Sequence, residues 1–217
     1  MFTGIIETTG TIAQLSAASG QGIVVWIDAP GLDFSDVKLG DSIASNGVCL
    51  TVTALNGTSF RADVSGETVS KTLFGSYKKG QRINLEKALL PTTRLGGHLV
   101  SGHVDGIAII KGIEKTGNSW QVFVTPPAEL ARYIAHKGSV TIDGISLTVN
   151  ELTADGFRLT IVPHTAQETT IADLKSGSQV HIEVDLIARY LERLLQAPST
   201  NSNTGISLDL LAKSGFL

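Results

Sequence analysis

The chain has 217 residues, 42% of them hydrophobic and 17% charged, the composition of an ordinary globular protein. Seventeen Lys and Arg against twenty Asp and Glu leave a net charge of -3, so nothing suits the neutralisation of a nucleic-acid backbone. Residues 1–10 carry no basic side chain, no apolar run approaches the ~20 residues of a membrane span, and the lone Cys49 cannot form an internal disulfide. The expected compartment is therefore the reducing cytoplasm, with no membrane and no nucleic acid as partner.

In chain order, residues 4–15 and 23–29 are rich in Ile and Val and read as strands. Residues 48–55 alternate and end at Asn56-Gly57, a type I′ hairpin signal. Residues 59–64 should pair back on them, 67–74 form a short helical piece, and 82–86 close the unit. A Gly-rich connector follows, Pro91-Thr92-Thr93-Arg94-Leu95-Gly96-Gly97, and then the pattern begins again.

The second half repeats the first. Asn46-Gly47-Val48-Cys49-Leu50-Thr51-Val52 lies over Asp143-Gly144-Ile145-Ser146-Leu147-Thr148-Val149 at an offset of 97 residues. The same offset aligns Phe60-Arg61 with Phe157-Arg158, Glu67-Thr68 with His164-Thr165, Thr72 with Thr169 and Glu86 with Glu183. Upstream the offset slips by one, and Phe2-Thr3-Gly4-Ile5 meets Val100-Ser101-Gly102-His103. A unit of about 97 residues with some six strands is too small for two large sheets, whereas a closed barrel leaves no edge exposed. The expected fold is all-β: two tandem six-stranded Greek-key β-barrels with short helices and a C-terminal helix. The corresponding units are 1–97, 98–195 and a tail, 196–217.

The second copy adds a helical piece at 128–134, after Pro126-Pro127, and a helix starting near Asp185, which can cap it. In that helix Ile187, Tyr190, Leu191, Leu194 and Leu195 form one apolar stripe. About eleven residues are too few for a stable isolated helix. The stripe must therefore be covered, either by its own barrel or by another subunit. A polar linker from Pro198 to Gly205 leads to an amphipathic stretch, 206–217.

Familiar nucleotide motifs are absent, and Gly144-Ile145-Ser146-Leu147-Thr148 lacks the second glycine of a nucleophile elbow. His98 and His103 have no third ligand in a zinc-like pattern, so no metal is expected. What remains are polar segments present in both copies. Thr3-Gly4 and Ser101-Gly102 each open a strand, with a glycine that permits close approach of backbone to a ligand. Asn46-Gly47 and Asp143-Gly144 read as sharp turns ahead of Leu-Thr-Val strands, and Glu67-Thr68 and His164-Thr165 could cap short helices. Matched segments suggest two similar pockets for two similar molecules. The copies differ where Cys49 faces Ser146, His103 faces Ile5, Lys137 faces Leu39 and Glu67 faces His164, which suggests a division of labour.

The opening Met-Phe-Thr-Gly-Ile, the Asn46-to-Val52 and Asp143-to-Val149 motifs, and Gly96-Gly97-His98-Leu99-Val100-Ser101-Gly102-His103-Val104-Asp105-Gly106 closely resemble riboflavin synthase, over about residues 1–195. The resemblance implies joining of two 6,7-dimethyl-8-ribityllumazine molecules, with four-carbon transfer giving riboflavin and 5-amino-6-ribitylamino-uracil, and no cofactor or metal. It implies a homotrimer associating through its C-terminal helices, with lumazine synthase as a further candidate partner. Its catalytic candidates fall on Phe2, Ser42, Cys49 and His103, with roles as base or nucleophile left open. By motif, the first pocket would use Gly4, Ile5, Ile6, Cys49, Leu50, Thr51, Asp63, Val64, Ser65, Gly66, Glu67 and Thr68. The second would use Gly102, His103, Val104, Ser146, Leu147, Thr148, Ile161, Val162, Pro163, His164, Thr165 and Ala166, with Lys137 reaching a neighbouring subunit's site. Two rivals share the barrel pattern. One is a non-catalytic lumazine- or flavin-binding optical protein, the other a flavin-dependent reductase, for which no nicotinamide signature is present.

Overall fold

The computed structural model describes residues 1–196 and 208–215. The expected Pro198–Gly205 linker lies outside them, and of the 206–217 stretch a short helix, α4 (Leu208–Lys213), is seen. The first barrel comprises β1 (Thr8–Ala17), β2 (Ile23–Asp28), β3 (Ser42–Ser45), β4 (Val48–Asn56), β5 (Ser59–Val64) and β6 (Arg82–Lys87), closed in the order β1-β2-β5-β4-β3-β6. The second uses β7 (Gly106–Thr116), β8 (Ser119–Thr125), β9 (Ser139–Ile142), β10 (Ile145–Thr153), β11 (Gly156–Ile161) and β12 (Gln179–Val184) in the equivalent order. These are the two six-stranded antiparallel barrels that the repeat predicts. Three further helices are α1 (Gly66–Lys71), α2 (Pro163–Glu168) and α3 (Leu186–Leu195). A 3₁₀ turn covers Ala128–Tyr133.

Alternation drives each closure. In β4, Val48, Leu50 and Val52 point into the core while Thr51 faces out, and β10 repeats this with Ile145, Leu147, Val149 and Thr148. Phe60 and Phe157 sit at the same place in the two cores, both fully buried. Matched bulges, at Val52/Ala54 and Val149/Glu151, bend each sheet at corresponding points.

Two local expectations change. The first strand begins at Thr8, not Gly4, because residues 4–6 leave the barrel wall to cross toward the other copy. The hairpin after β4 turns on Gly57-Thr58, and only Gly57 has positive φ (60°), the type II′ pattern. The type I′ turns are Asn46-Gly47 (φ 47° and 81°) and Asp143-Gly144 (46° and 81°).

Those two turns lie back to back and join the barrels. A Cβ on Gly47 would stand 2.8 Å from the Gly144 nitrogen, and one on Gly144 would stand 2.8 Å from the Gly47 nitrogen. Around them runs a crosswise hydrogen-bond network. Asn84 Nδ2 donates to the Asp143 carbonyl (2.9 Å), and Asn84 Oδ1 accepts from Thr170 N–H (2.8 Å). Its counterpart His181 donates from Nδ1 to the Asn46 carbonyl (2.7 Å) and accepts at Nε2 from Leu73 N–H (2.8 Å). An imidazole that accepts at Nε2 and donates at Nδ1 is neutral, so the Asp143 carboxylate 3.7 Å away is not its ion partner.

Burial pushes His181 down to about 4 and the Asp143 carboxyl up to about 7. The two act oppositely on stability. Between pH 4 and 6.5 the unfolded chain binds more protons at His181, so that group favours the fold more as pH rises. Between pH 3.8 and 7 the folded chain holds more protons at Asp143, so that group favours the fold less as pH rises. His181→Asn, which copies Asn84, should therefore leave a variant whose stability relative to the parent falls between pH 4.5 and 7. Asp143→Asn, which copies Asn46, should show the reverse slope. Urea midpoints at both pH values check this, and parallel slopes would contradict the neutral pair.

Candidate functional site

Between the barrels, residues 2–3 and 98–100 form a short antiparallel ribbon. Phe2 N donates to Val100 O (2.8 Å), Val100 N to Phe2 O (3.1 Å), and His98 N to Thr3 O (3.1 Å). Beyond this ribbon each strand is seized by a buried glutamate. Glu86 accepts from Thr3 N (2.7 Å), Thr3 Oγ1 (2.6 Å) and Gly4 N (2.9 Å). Glu183 accepts from Ser101 N (2.7 Å), Ser101 Oγ (2.7 Å) and Gly102 N (3.1 Å). Burial holds both carboxyls above the usual range, and these hydrogen bonds pull the other way.

The glutamates aim the two glycines at opposite barrels. Gly4, held by the first barrel, accepts at its carbonyl from Ser146 N–H of the second (2.7 Å). Gly102, held by the second, accepts from Cys49 N–H of the first (2.9 Å). A Cβ on Gly4 would lie 2.6 Å from Ser146 Cβ, and one on Gly102 would lie 2.7 Å from Cys49 Cβ, so both positions need glycine. Ile6 accordingly packs on the second core and Val104 on the first.

The segments expected to line the two pockets are thus brought together crosswise, not copy by copy. Gly4, Ile5 and Ile6 join Ser146, Leu147 and Thr148, whereas Gly102, His103 and Val104 join Cys49, Leu50 and Thr51. The sequence cannot show this, because the exchange of neighbours preserves the repeat. Within each group, Leu50 and Leu147 are buried while Thr51 and Thr148 are exposed on the outer barrel wall.

The remaining predicted residues bound the same ends. The register Val52↔Ala62 runs the start of β4 toward the end of β5, where Asp63, buried Val64, Ser65, Gly66, Glu67 and Thr68 lead into α1. Ser65 is the cap there, accepting from Thr68 N (3.1 Å), not the Glu67-Thr68 pair. On the second barrel, buried Ile161 and exposed Val162, Pro163 and His164 lead to Thr165 and buried Ala166 in α2, with no side-chain cap.

Phe2 is fully buried with Ala44 and Val100 and packs against Cys49, lying under the Gly102–Cys49 contact. Cys49 is a half-buried free cysteine and His103 is exposed. Ser42 pairs with Thr51 in β3 and β4, and it lines a cavity of about 620 Å³ shared with Ile5, Lys87 and Arg94. Lys137 matches Gly40, not Leu39: Lys137 N donates to Val149 O and Gly40 N to the equivalent Val52 O, both with positive φ (62° and 95°). A lysine held where the other copy has glycine stores backbone strain of about 1 kcal/mol. Among the described residues no three His, Cys, Asp or Glu side chains converge as a metal site.

Sequence reading missed the residues that build this frame: Glu86, Glu183, Asn84 and His181. In β6, Arg82-Ile83-Asn84-Leu85-Glu86 alternates like a strand with one wet face, but Asn84 and Glu86 are buried because the other copy covers that face. The ungapped Glu86/Glu183 match was the available signal.

The lumazine binding domain family matches residues 3–88 and again 101–185. Over the full length of both chains, the sequence is 52% identical to riboflavin synthase of Photobacterium phosphoreum and 42% identical to that of Bacillus subtilis. Among solved structures it is similar in fold to LumP complexed with riboflavin, with a TM-score of 0.78 and 24% identity over 85% of this chain and 99% of that one. LumP complexed with 6,7-dimethyl-8-(1'-D-ribityl) lumazine gives a TM-score of 0.76 at the same identity and coverage.

Crosswise assembly makes a crosswise prediction. Glu86→Gln places an NH₂ against a backbone donor and should cost about 1.5–3 kcal/mol, the range for hydrogen bonds to charged groups. It should speed amide hydrogen exchange at Ser146 in the second barrel more than at Cys49. Glu183→Gln should do the opposite. Exchange that rises only within the glutamate's own barrel would contradict the exchange of segments.

Proposed function

Because this chain belongs to the riboflavin synthase family, we propose that it joins two molecules of 6,7-dimethyl-8-ribityllumazine. One gives up a four-carbon unit and leaves as 5-amino-6-ribitylamino-uracil, and the other becomes riboflavin. Two pockets of the same backbone frame but unequal side chains carry this reading, since the reaction uses one compound as both donor and acceptor. The units are residues 1–97 and 98–195, with 196–217 as a tail, and the protein works in the cytoplasm without cofactor or metal.

The chemistry needs a proton removed from one 7-methyl group and a nucleophile added at the other molecule's C7. Cys49 and His103 are joined through the Cys49 N–H to Gly102 O bond (2.9 Å), with Ser42 beside Thr51 on the adjoining strand. These three are the catalytic candidates, while buried Phe2 acts by supporting Cys49 and Gly102 from beneath. The thiol suits addition and the imidazole or hydroxyl suits proton transfer. Holding two heterocycles face to face supplies a further large term, since oriented reactants reach effective molarities of about 10⁵ M or more.

A single chain leaves these pockets open: Ile5 and Val162 are 49% and 52% exposed. The α3 stripe is also uncovered, with Ile187, Tyr190, Leu191, Leu194 and Leu195 at 54–84% exposure. The helix is tied to its own barrel by its polar side, through Arg189–Asp105 and Arg132–Glu192. Burying five such side chains is worth on the order of 10 kcal/mol, enough to favour association of copies. The assembly is a homotrimer joined through α3, with Lys137 reaching the neighbour's pocket and lumazine synthase as a further partner.

A non-catalytic lumazine or flavin carrier is the rival. The LumP likeness bears on fold alone, whereas Ser42, Cys49 and His103 are present to do chemistry, with Phe2 packed against Cys49. Incubation with the lumazine alone decides: one riboflavin should form per two lumazines consumed, and binding without turnover would favour the carrier. Cys49→Ala and His103→Ala should each lower turnover about 10²–10⁴-fold with little change in melting temperature. Normal turnover in both would remove them from the chemistry. Truncation before Leu186 should yield monomers with folded barrels and lost activity, and a trimer by light scattering would overturn the helix assignment.

A further inference from the structure

Ser146 and Cys49 are counterparts, but only Ser146 has an imidazole on its side chain. His98 Nδ1 lies 2.7 Å from Ser146 Oγ. The ring is buried, 9% exposed, and among the described residues its Nε2 has no hydrogen-bond partner. Its backbone is fixed at the ribbon by the bond from His98 N to Thr3 O. Gly97 just before it is equally constrained, since a Cβ there would meet Ser146 Cβ at 2.7 Å. The histidine is therefore pinned against the serine from its own backbone and from its neighbour's.

As a device for stability this arrangement is poor. Desolvating Nε2 without a partner costs at least as much as one neutral hydrogen bond returns. An apolar side chain would fill the space without that penalty. Burial also lowers the tendency of His98 to take up a proton, with Asp185 opposing, so the ring contacts Ser146 as a neutral donor or acceptor.

We propose that His98 is a positioning residue of the second pocket, its Nδ1 fixing the Ser146 hydroxyl in one rotamer so that the serine presents a set hydrogen-bonding group to the bound heterocycle. The first pocket has a cysteine at that position, with a weaker and unoriented donor. The difference between the pockets is then a difference in ligand orientation, built from His98 and Ser146 on a common backbone frame. This inference rests on the reading of the pockets as sites for two lumazine molecules.

The test uses the full-length protein and four variants: His98→Ala, His98→Asn, Ser146→Ala and the His98→Ala/Ser146→Ala double variant. Asn can offer a polar atom near the place of Nδ1 while discarding Nε2. Loss of orientation at a reacting centre should lower kcat for riboflavin formation about 10- to 100-fold in His98→Ala, with KM changing far less. His98→Asn should recover most of that loss, and His98→Ala should add little in the Ser146→Ala background. Additive losses, or no recovery by Asn with the melting temperature falling in step, would make His98 a structural residue only and overturn the proposal. Two readouts do not depend on turnover: the imidazole ¹⁵N shifts of His98, which should move in Ser146→Ala, and riboflavin titration of parent and His98→Ala, in which one of two binding phases should weaken. If the parent protein forms no riboflavin but both readouts respond, the enzymatic reading fails while the positioning role stands. If turnover is normal in the parent and the ¹⁵N shifts ignore Ser146, the positioning role fails alone.

Discussion

The contact on which the rest of the molecule depends is the meeting of Gly47 and Gly144, where two type I′ turns stand back to back with no room for a side chain. Everything that crosses between barrels is arranged around it. Asn84 and His181 each reach over the junction to the other copy's turn carbonyl, and each accepts an amide from the segment just after the other copy's short helix, Thr170 after α2 or Leu73 after α1. Glu86 and Glu183 then hold Gly4 and Gly102 so that each glycine carbonyl meets the opposite barrel's first site amide. A small displacement of the turns would therefore move both the Gly4–Ser146 and the Gly102–Cys49 contacts at once. The barrels are separate cores, but the crosswise contacts between them are not separate parts.

This geometry explains which features were legible in sequence. Barrel count, strand number and the C-terminal helix follow from features that are local or repeated: alternation in β4 and β10, the Asp185 cap, the ungapped offset. The α3 stripe was legible as a surface needing cover, but not whose. Its exposure of Leu194 and Leu195 removes the option of packing on its own barrel.

What could not be read is whatever depends on exchange between equals. When two copies resemble each other, a segment that packs on its own barrel and one that packs on its twin leave the same pattern. The repeat alone therefore groups Gly4 with Cys49 and not with Ser146. Asn84 and Glu86 escaped for a related reason, because alternation cannot distinguish a face covered by solvent from one covered by a second domain. Matching Lys137 with Leu39 carries the 98-residue offset of the first strands too far; the 97-residue offset of the later strands already sets Lys137 on Gly40, and the matched amide bonds to Val52 and Val149 agree.

The same contrast separates what the copies share from what they vary. Bonds that define the frame run largely through backbone groups: Cys49 N–H to Gly102, Ser146 N–H to Gly4, and the turn carbonyls of Asn46 and Asp143. A backbone bond places no demand on the side chain at that position. Cys49 and Ser146 can therefore differ in chemistry while their Cα atoms stay in equivalent places, and so can His103 and Ile5. Where a side chain itself makes the frame bond, the copies either keep it, as with the two glutamates, or replace it by one offering a donor and an acceptor at the same points, as Asn84 and His181 do. Duplication of the frame and divergence of its side chains are thus compatible because they use different atoms of the same residues.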